Sequence, residues 1–170
     1  MDDAKAAVDR YFNERNDHFK DHPRRAIIGL LSGRAVNPGD MRMIALDLWR
    51  DYIMKSHDDR TVRDLLHPDA VFESPVVHTP QRGRDIVFKY LTTADKVMGG
   101  PNFRYVGEWR SDSGVVLEFE TEIEGIKING VDMITFSADG SLITHFKVMV
   151  RPLKAINLLH RLMGEQLAKP

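Results

Sequence analysis

Cysteine is absent from the 170-residue sequence. Its absence excludes disulfide bonds, thiolate nucleophiles and cysteine metal sites, and it fits a reducing compartment. An excess of charge of either sign is also lacking, because 24 Lys and Arg residues balance 25 Asp and Glu residues. This balance gives no reason to expect nucleic-acid binding or attraction to an anionic membrane. No apolar run approaches the length that spans a membrane.

The remaining composition is that of a globular protein, with 42% hydrophobic and 29% charged residues. The length suits one domain with a full core and is short for two. The first ten residues, MDDAKAAVDR, are acidic and polar, so we expect no signal peptide and a cytoplasmic location. A glycine-containing loop at 33–39 separates an N-terminal helical appendage, residues 1–38, from a main domain, residues 39–170.

Helical spacing of apolar residues marks the first half of the main domain. It predicts a helix over 41–57, a shorter helix capped by Thr61, and a third helix over 84–97. The residues near the end, 153–168, have the pattern of an amphipathic helix. We therefore expect helices at both ends of the main domain.

The apolar period changes from 3.6 to 2 in the second half. The run over 115–124 alternates almost without fault, which is typical of an antiparallel strand with one buried face. Three further runs, 102–110, 126–136 and 141–150, complete a meander. The pattern predicts an α+β fold in which helices cover a strongly curved antiparallel sheet and a pocket remains between them.

Three ordered stretches resemble a known superfamily: DDRTVRDLLHPDAVFESPV, GRDIVFKYL and GVDMITFSADGSLITHFKVMV. They are similar to NTF2-like proteins and, among these, to SnoaL-like polyketide cyclases and ketosteroid isomerases. The resemblance spans roughly residues 41–151 and leaves out 1–38. It implies an NTF2-like cone, with the sheet wrapped around the N-terminal helices, and a homodimer formed through the convex face of the sheet.

Asp132 is the first candidate catalytic residue. Strand parity places it on the same face as Ile134 and Phe136, so it points into the pocket if Phe136 is buried. A buried carboxylate must be paired, hydrogen-bonded or protonated. The resemblance matches Asp132 to the oxyanion-stabilising aspartate of ketosteroid isomerases, which donates a hydrogen bond while neutral. A surface aspartate beside a glycine turn is the alternative.

His145 is the second candidate, and its orientation is open. The strand alternates between two sets of residues: His145, Lys147 and Met149 on one face, Phe146 and Val148 on the other. The apolar set could face the core. The resemblance instead turns His145 and Lys147 toward the cavity and Phe146 toward a convex dimer interface. His145 would then act as a general base, with Asp132 as its partner. The alternative is a structural histidine beside an exposed lysine.

Ser74 argues against a steroid-isomerase mechanism. It occupies the position that the resemblance matches to the proton-shuttling aspartate, and a serine at its ordinary pKa cannot carry a proton between carbons. The matching helix position also lacks a tyrosine, since Trp49 and Arg50 lie there. These differences favour one alternative, a non-catalytic module that binds a hydrophobic ligand. A dimeric interaction module, which would use the convex face with Phe146 and Val148, is the other alternative.

The expected ligand is flat, hydrophobic and weakly polar. Eight residues are predicted to contact it: Trp49, Phe72, Ser74, Tyr105, Trp109, Phe119, Lys147 and Met149. We predict a pocket protein that transfers a proton next to a carbonyl, as an isomerase, cyclase or dehydratase does. We expect no metal or nucleotide cofactor. His18 and His22 have helical spacing but lack a third ligand, so they are read as a solvated pair.

Overall fold

The computed structural model describes residues 38–169. The predicted appendage therefore lies outside the described residues except for Pro38, and so do His18 and His22. The described chain contains four α-helices and one six-stranded sheet. None of the helices in this part of the chain is long and apolar enough to cross a membrane.

The helices confirm the predicted apolar periodicity. The first helix, α1, spans Pro38–Asp51 and continues as a π-helical turn at Tyr52–Ser56. The others are given in chain order: α2 Asp59–Leu65, α3 Arg84–Met98 and α4 Leu153–Leu167. Asp58 caps α2 by accepting a hydrogen bond from the Arg60 amide at 3.1 Å. The cap is therefore Asp58 and not Thr61, which lies inside the helix.

The strands form a sheet in the order β2-β1-β6-β5-β4-β3. Their bounds are as follows: β1 Leu66–Glu73, β2 Gln81–Arg82, β3 Arg104–Arg110, β4 Gly114–Ile123, β5 Ile126–Phe136 and β6 Ile143–Arg151. Strands β3 to β6 form the predicted antiparallel meander. Strand β1 pairs parallel with β6, because α3 and four strands lie between them in the chain and allow a crossover. The sheet is therefore mixed, strongly curved and not closed.

The concave, inner face of the sheet carries the core. Alternate residues of each central strand are buried there, among them Leu117, Phe119, Ile134 and Phe146. The helices cover this face with buried residues of their own, including Trp49, Leu91 and Leu159. The α+β fold expected from the sequence is confirmed.

A bulge in β3 changes which side chains face inward. Tyr105 pairs with Phe119 on the inner face, but the next pair is Gly107 with Glu118, so Val106 is an extra residue. Beyond the bulge the parity of the strand is reversed. Trp109 consequently lies on the convex, outer face, where its side chain is 58% exposed.

Candidate functional site

A cavity of about 50 Å³ lies between the inner face of the sheet and helices α1, α3 and α4. Most of its wall is apolar, and three side chains of the described chain bring carboxyl or hydroxyl groups to it: Ser74, Asp95 and Asp132. A mostly apolar wall with a few polar groups is typical of small-molecule sites. Within residues 38–169, no group of three or more His, Asp or Glu side chains could hold a metal ion.

Asp132 is the final acceptor in a chain of two hydrogen bonds. It lies on the inner face of β5 and is 6% exposed. The Tyr105 hydroxyl donates to Asp132 Oδ2 at 2.8 Å, and Trp49 Nε1 donates to the Tyr105 hydroxyl oxygen at 2.9 Å. Helix α1 and strand β3 thus orient one of the two carboxyl oxygens, Oδ2.

Burial sets the protonation of this group. It raises the pKa of Asp132 from 3.8 to about 7, although the hydrogen bond from Tyr105 acts in the opposite direction. Burial, followed by the nearby Asp132 charge, raises the pKa of Tyr105 well above 10. Near neutral pH, a large fraction of Asp132 is therefore a neutral acid, and Tyr105 remains a hydrogen-bond donor.

A second carboxyl group reaches the cavity from helix α3. The Asp95 side chain is 8% exposed and lines the wall. His57 Nδ1 lies 2.8 Å from Asp95 Oδ2 and 3.1 Å from Oδ1. The sequence pattern did not lead to a prediction of the His57–Asp95 pair. A signal was present, since Asp95 follows the buried Val87 and Leu91 at intervals of eight and four residues on the same helical stripe.

Six of the ten predicted site residues come together here. Five of them line the cavity: Trp49, Phe72, Ser74, Phe119 and Asp132. The sixth, Tyr105, connects Trp49 with Asp132. Ser74 Oγ accepts a hydrogen bond from the Val76 amide at 3.2 Å.

The other four residues lie on the outer face. Phe146 and Val148 line the cavity, so strand alternation turns His145 and Lys147 away from it. Both contact Glu73 on β1, with His145 Nε2 and Lys147 Nζ each 2.8 Å from a carboxylate oxygen. The orientation that the resemblance implied for His145, Lys147 and Phe146 is therefore wrong in this chain.

Trp109 and Met149 are outer-face residues for different reasons. The bulge in β3 reverses the parity of Trp109 relative to Tyr105. Met149 follows the alternation of β6 and is 55% exposed. Neither side chain can contact a ligand in the cavity of this chain.

The fold and the site together define a class of protein. A curved sheet with helices packed over its concave face, and a buried carboxyl in the cavity between them, is the architecture of an NTF2-like domain. The model of the SnoaL-like domain matches residues 47–145, and the chain belongs to this family.

Solved structures agree with this assignment. A steroid delta-isomerase from Pseudomonas aeruginosa is 37% identical, with a TM-score of 0.70 over 75% of this chain and 92% of that one. A protein with a cystatin-like fold from Silicibacter pomeroyi is 28% identical, with a TM-score of 0.65 over 72% and 84%. An NTF2-like protein from Mesorhizobium loti, at 13% identity and a TM-score of 0.58 over 70% and 98%, shows the fold alone. A comparison with curated proteins finds no match.

Proposed function

We propose that the protein is an enzyme that moves a proton next to the carbonyl group of a hydrophobic ketone. The observation that carries this proposal is the Trp49–Tyr105–Asp132 chain of hydrogen bonds at the polar end of an apolar cavity. Isomerisation, aldol cyclisation and dehydration all share this first step. The likeness to a steroid delta-isomerase at 37% identity supports the isomerase type.

Asp132 acts as a hydrogen-bond donor in this mechanism. Its neutral carboxyl donates from Oδ1 to the carbonyl oxygen of the ligand, while Oδ2 accepts from Tyr105. When a proton leaves the adjacent carbon, negative charge develops on that oxygen. A donor fixed in a water-poor cavity stabilises this charge more than water does. Trp49 and Tyr105 fix the donor before the reaction begins.

The cavity walls select the ligand. Phe72, Phe119 and Phe146 present aromatic surface, which suits a flat apolar ring. The volume of about 50 Å³ is small beside the roughly 300–1,000 Å³ of common ligand sites. We therefore expect the reactive end of the ligand to enter first, and larger ligands to displace the flexible side chains of Met98 and Met163.

Exchange of carbon-bound hydrogen tests this function. The protein in D₂O is mixed with 3-cyclohexen-1-one or with a 3-ketosteroid that carries a Δ5 double bond, and deuterium uptake is followed by NMR. We expect rapid exchange and conjugation of the double bond. Asp132→Ala should slow both by roughly 100- to 1,000-fold. The matched variant Asp112→Ala, in the exposed β3–β4 turn, should not.

A non-catalytic function has one observation in its favour. Ser74 brings a hydroxyl to the cavity where the resemblance implies a carboxylate. Ketones that bind without exchange would favour a carrier over an enzyme. Exchange by the wild-type protein that Asp132→Ala abolishes would exclude a pure carrier.

We also propose a homodimer through the outer face of the sheet. Five residues of β3 to β6 form what we call the outer apolar surface: Trp109, Val116, Val131, Met133 and Met149. Three of them, Trp109, Met133 and Met149, are 58%, 39% and 55% exposed. Neighbouring apolar side chains on one sheet face are typical of an interface, and a two-fold axis would pair the surface with itself.

A further inference from the structure

The proposed reaction requires a base, and the described residues leave few candidates. Ser74 cannot remove a carbon-bound proton at its ordinary pKa, and His145 lies on the outer face. Asp132 is occupied as the acid. Among the described residues that line the cavity, Asp95 is the one other side chain with a carboxyl or imidazole group.

We propose that Asp95 is the catalytic base, and that His57 is the positioning residue that orients it. This assignment rests on the function proposed above. It places the base on helix α3 and not at Ser74, directly after strand β1, where the resemblance would put it. The site would then contain one carboxyl group that donates a hydrogen bond and one that takes a proton, a common arrangement for paired acid and base chemistry.

His57 contacts both oxygens of the Asp95 carboxyl group. Its Nδ1 lies within hydrogen-bond distance of both carboxylate oxygens, at 2.8 and 3.1 Å. The imidazole is 43% exposed, whereas Asp95 is 8% exposed. His57 therefore lies between the buried base and solvent.

Gly99 holds the same carboxyl from the other side. A Cβ at position 99 would lie 2.5 Å from Asp95 Oδ1 and 2.5 Å from the Asp95 carbonyl oxygen. Real Cβ atoms do not approach this closely, so the carboxyl packs against a backbone that only glycine provides. Together, Gly99 and His57 restrict the rotation of the Asp95 side chain.

The segment that presents His57 has an unusual backbone. It follows the π-helical turn Tyr52–Ser56 and adopts a left-handed conformation with φ of 46°. Single π-helical turns occur often at functional sites. The His57 ring meets the edge of the buried Tyr52 ring, with centroids 6.2 Å apart. Burial, with the charges of Asp95 and Asp59, raises the pKa of Tyr52, so Tyr52 brings no negative charge to the pair.

The proposed step balances without a further reactant. The Asp95 carboxylate takes a proton from the carbon next to the carbonyl, and the C–H electron pair forms the C=C bond of an enolate. The carbonyl π pair moves to the oxygen, which Asp132 stabilises. Asp95 then returns the proton to the far carbon of the conjugated system. The double bond has moved, and both carboxyl groups recover their starting states.

Conservative variants of the purified full-length protein test this assignment, with 3-cyclohexen-1-one and the Δ5 3-ketosteroid as substrates. Asp95→Asn keeps an acceptor for His57 but cannot take a proton. We expect kcat to fall roughly 100- to 10,000-fold. Binding of a phenol, a flat mimic of the enolate, should remain. The matched control Asp85→Asn changes an aspartate on the same helix whose side chain is 84% exposed, and it should leave kcat unchanged.

Two substitutions of His57 separate positioning from folding. His57→Gly removes the imidazole but tolerates the left-handed backbone, so kcat should fall roughly 10- to 100-fold, as expected when one hydrogen bond to a charged group is lost. His57→Asn also suits this backbone, and its amide can donate to Asp95, so it should recover part of kcat. KM should change little in either variant.

The outcomes distinguish the two proposals. A wild-type protein that exchanges hydrogen, together with an equally active Asp95→Asn variant, overturns the role of Asp95 and leaves the proposed function standing. Unchanged kcat in His57→Gly overturns the positioning role even if Asp95→Asn fails to fold. A wild-type protein that binds the phenol but exchanges no hydrogen on either ketone overturns both.

Discussion

Tyr105 donates a 2.8 Å hydrogen bond to Asp132 from a strand that is not its neighbour, because β4 lies between β3 and β5. The contact is possible because the sheet curves and both side chains face its concave side. The indole of Trp49 completes the chain from helix α1. A neutral Asp132 carboxyl that accepts this hydrogen bond through Oδ2 can donate another hydrogen bond to a ligand through Oδ1.

The raised pKa of Asp132 predicts a specific dependence of stability on pH. Because the pKa is about 7 in the folded state and 3.8 ordinarily, the folded state binds the proton more tightly between these values. Protonation of Asp132 therefore contributes to the free energy of unfolding fully below pH 3.8, and this contribution is lost as pH rises through 7.

The neutral variant Asp132→Asn lacks this titration. The free energy of unfolding of the wild type, minus that of the variant, should therefore fall on the order of a few kcal/mol across this interval. Urea unfolding at several pH values measures this difference. A difference that stays constant with pH would contradict a raised pKa.

Tryptophan fluorescence should locate the ligand. The sequence contains two tryptophans, and the structure places Trp49 at the cavity and Trp109 on the outer face. Trp109→Phe leaves Trp49 as the single emitter, and we expect a bound phenol to change its emission. Trp49→Phe leaves only Trp109, whose emission should not respond.

Trp49→Phe should also weaken the phenol roughly tenfold, because Tyr105 loses its donor. Equilibrium dialysis measures this affinity without relying on fluorescence. Emission changes confined to Trp109 would place the ligand elsewhere.

Glycine at position 130 makes room for an aromatic wall of the cavity. A Cβ there would lie 2.5 Å from Phe119 Cζ and 2.6 Å from the Met149 carbonyl oxygen. Gly130→Ala should therefore lower the free energy of unfolding by about 1–3 kcal/mol and reduce ligand affinity. The same change at Gly164, where nothing lies within 4 Å of the new Cβ, should raise stability by about 0.5–1 kcal/mol. Equal effects at the two glycines would contradict this packing.

The outer apolar surface predicts a dimer that one charge can disrupt. Met149→Glu places a carboxylate on this surface, and sedimentation should show conversion to a monomer that still binds the phenol. Met54→Glu is the matched control, because Met54 is 45% exposed on the π-helical turn and lies off the sheet. A wild-type protein that remains monomeric at high concentration would contradict the proposed dimer.

Strict periodicity was enough to predict most elements and the inward face of β5. Asp132, Ile134 and Phe136 alternate with exposed residues there, so parity alone placed Asp132 correctly. The same reasoning failed for Trp109, because a single extra residue at Val106 reverses parity and leaves no clear mark in the sequence.

Strand β6 was ambiguous for another reason. Alternation allowed the more apolar face, with Phe146 and Val148, to face the core as it does, but the resemblance turned His145 and Lys147 inward. Parallel pairing with β1 brings His145 and Lys147 beside Glu73, and this contact between distant parts of the chain is not visible in local spacing. For Asp95, local spacing was informative, because it lies four residues after the buried Leu91 on the same helix. A charged side chain is not expected on a buried helix face, so Asp95 was not predicted as a site residue.

The protonation state of Asp132 is central to the proposed function, and it can be measured directly. NMR of ¹³C-labelled protein follows the Asp132 carboxyl carbon during a pH titration, and the signal is assigned by its loss in Asp132→Asn. We expect a midpoint of about 7, with the carboxyl protonated below it. A midpoint near the ordinary value of 3.8 would show a charged carboxylate at neutral pH, which cannot donate a hydrogen bond to a ketone.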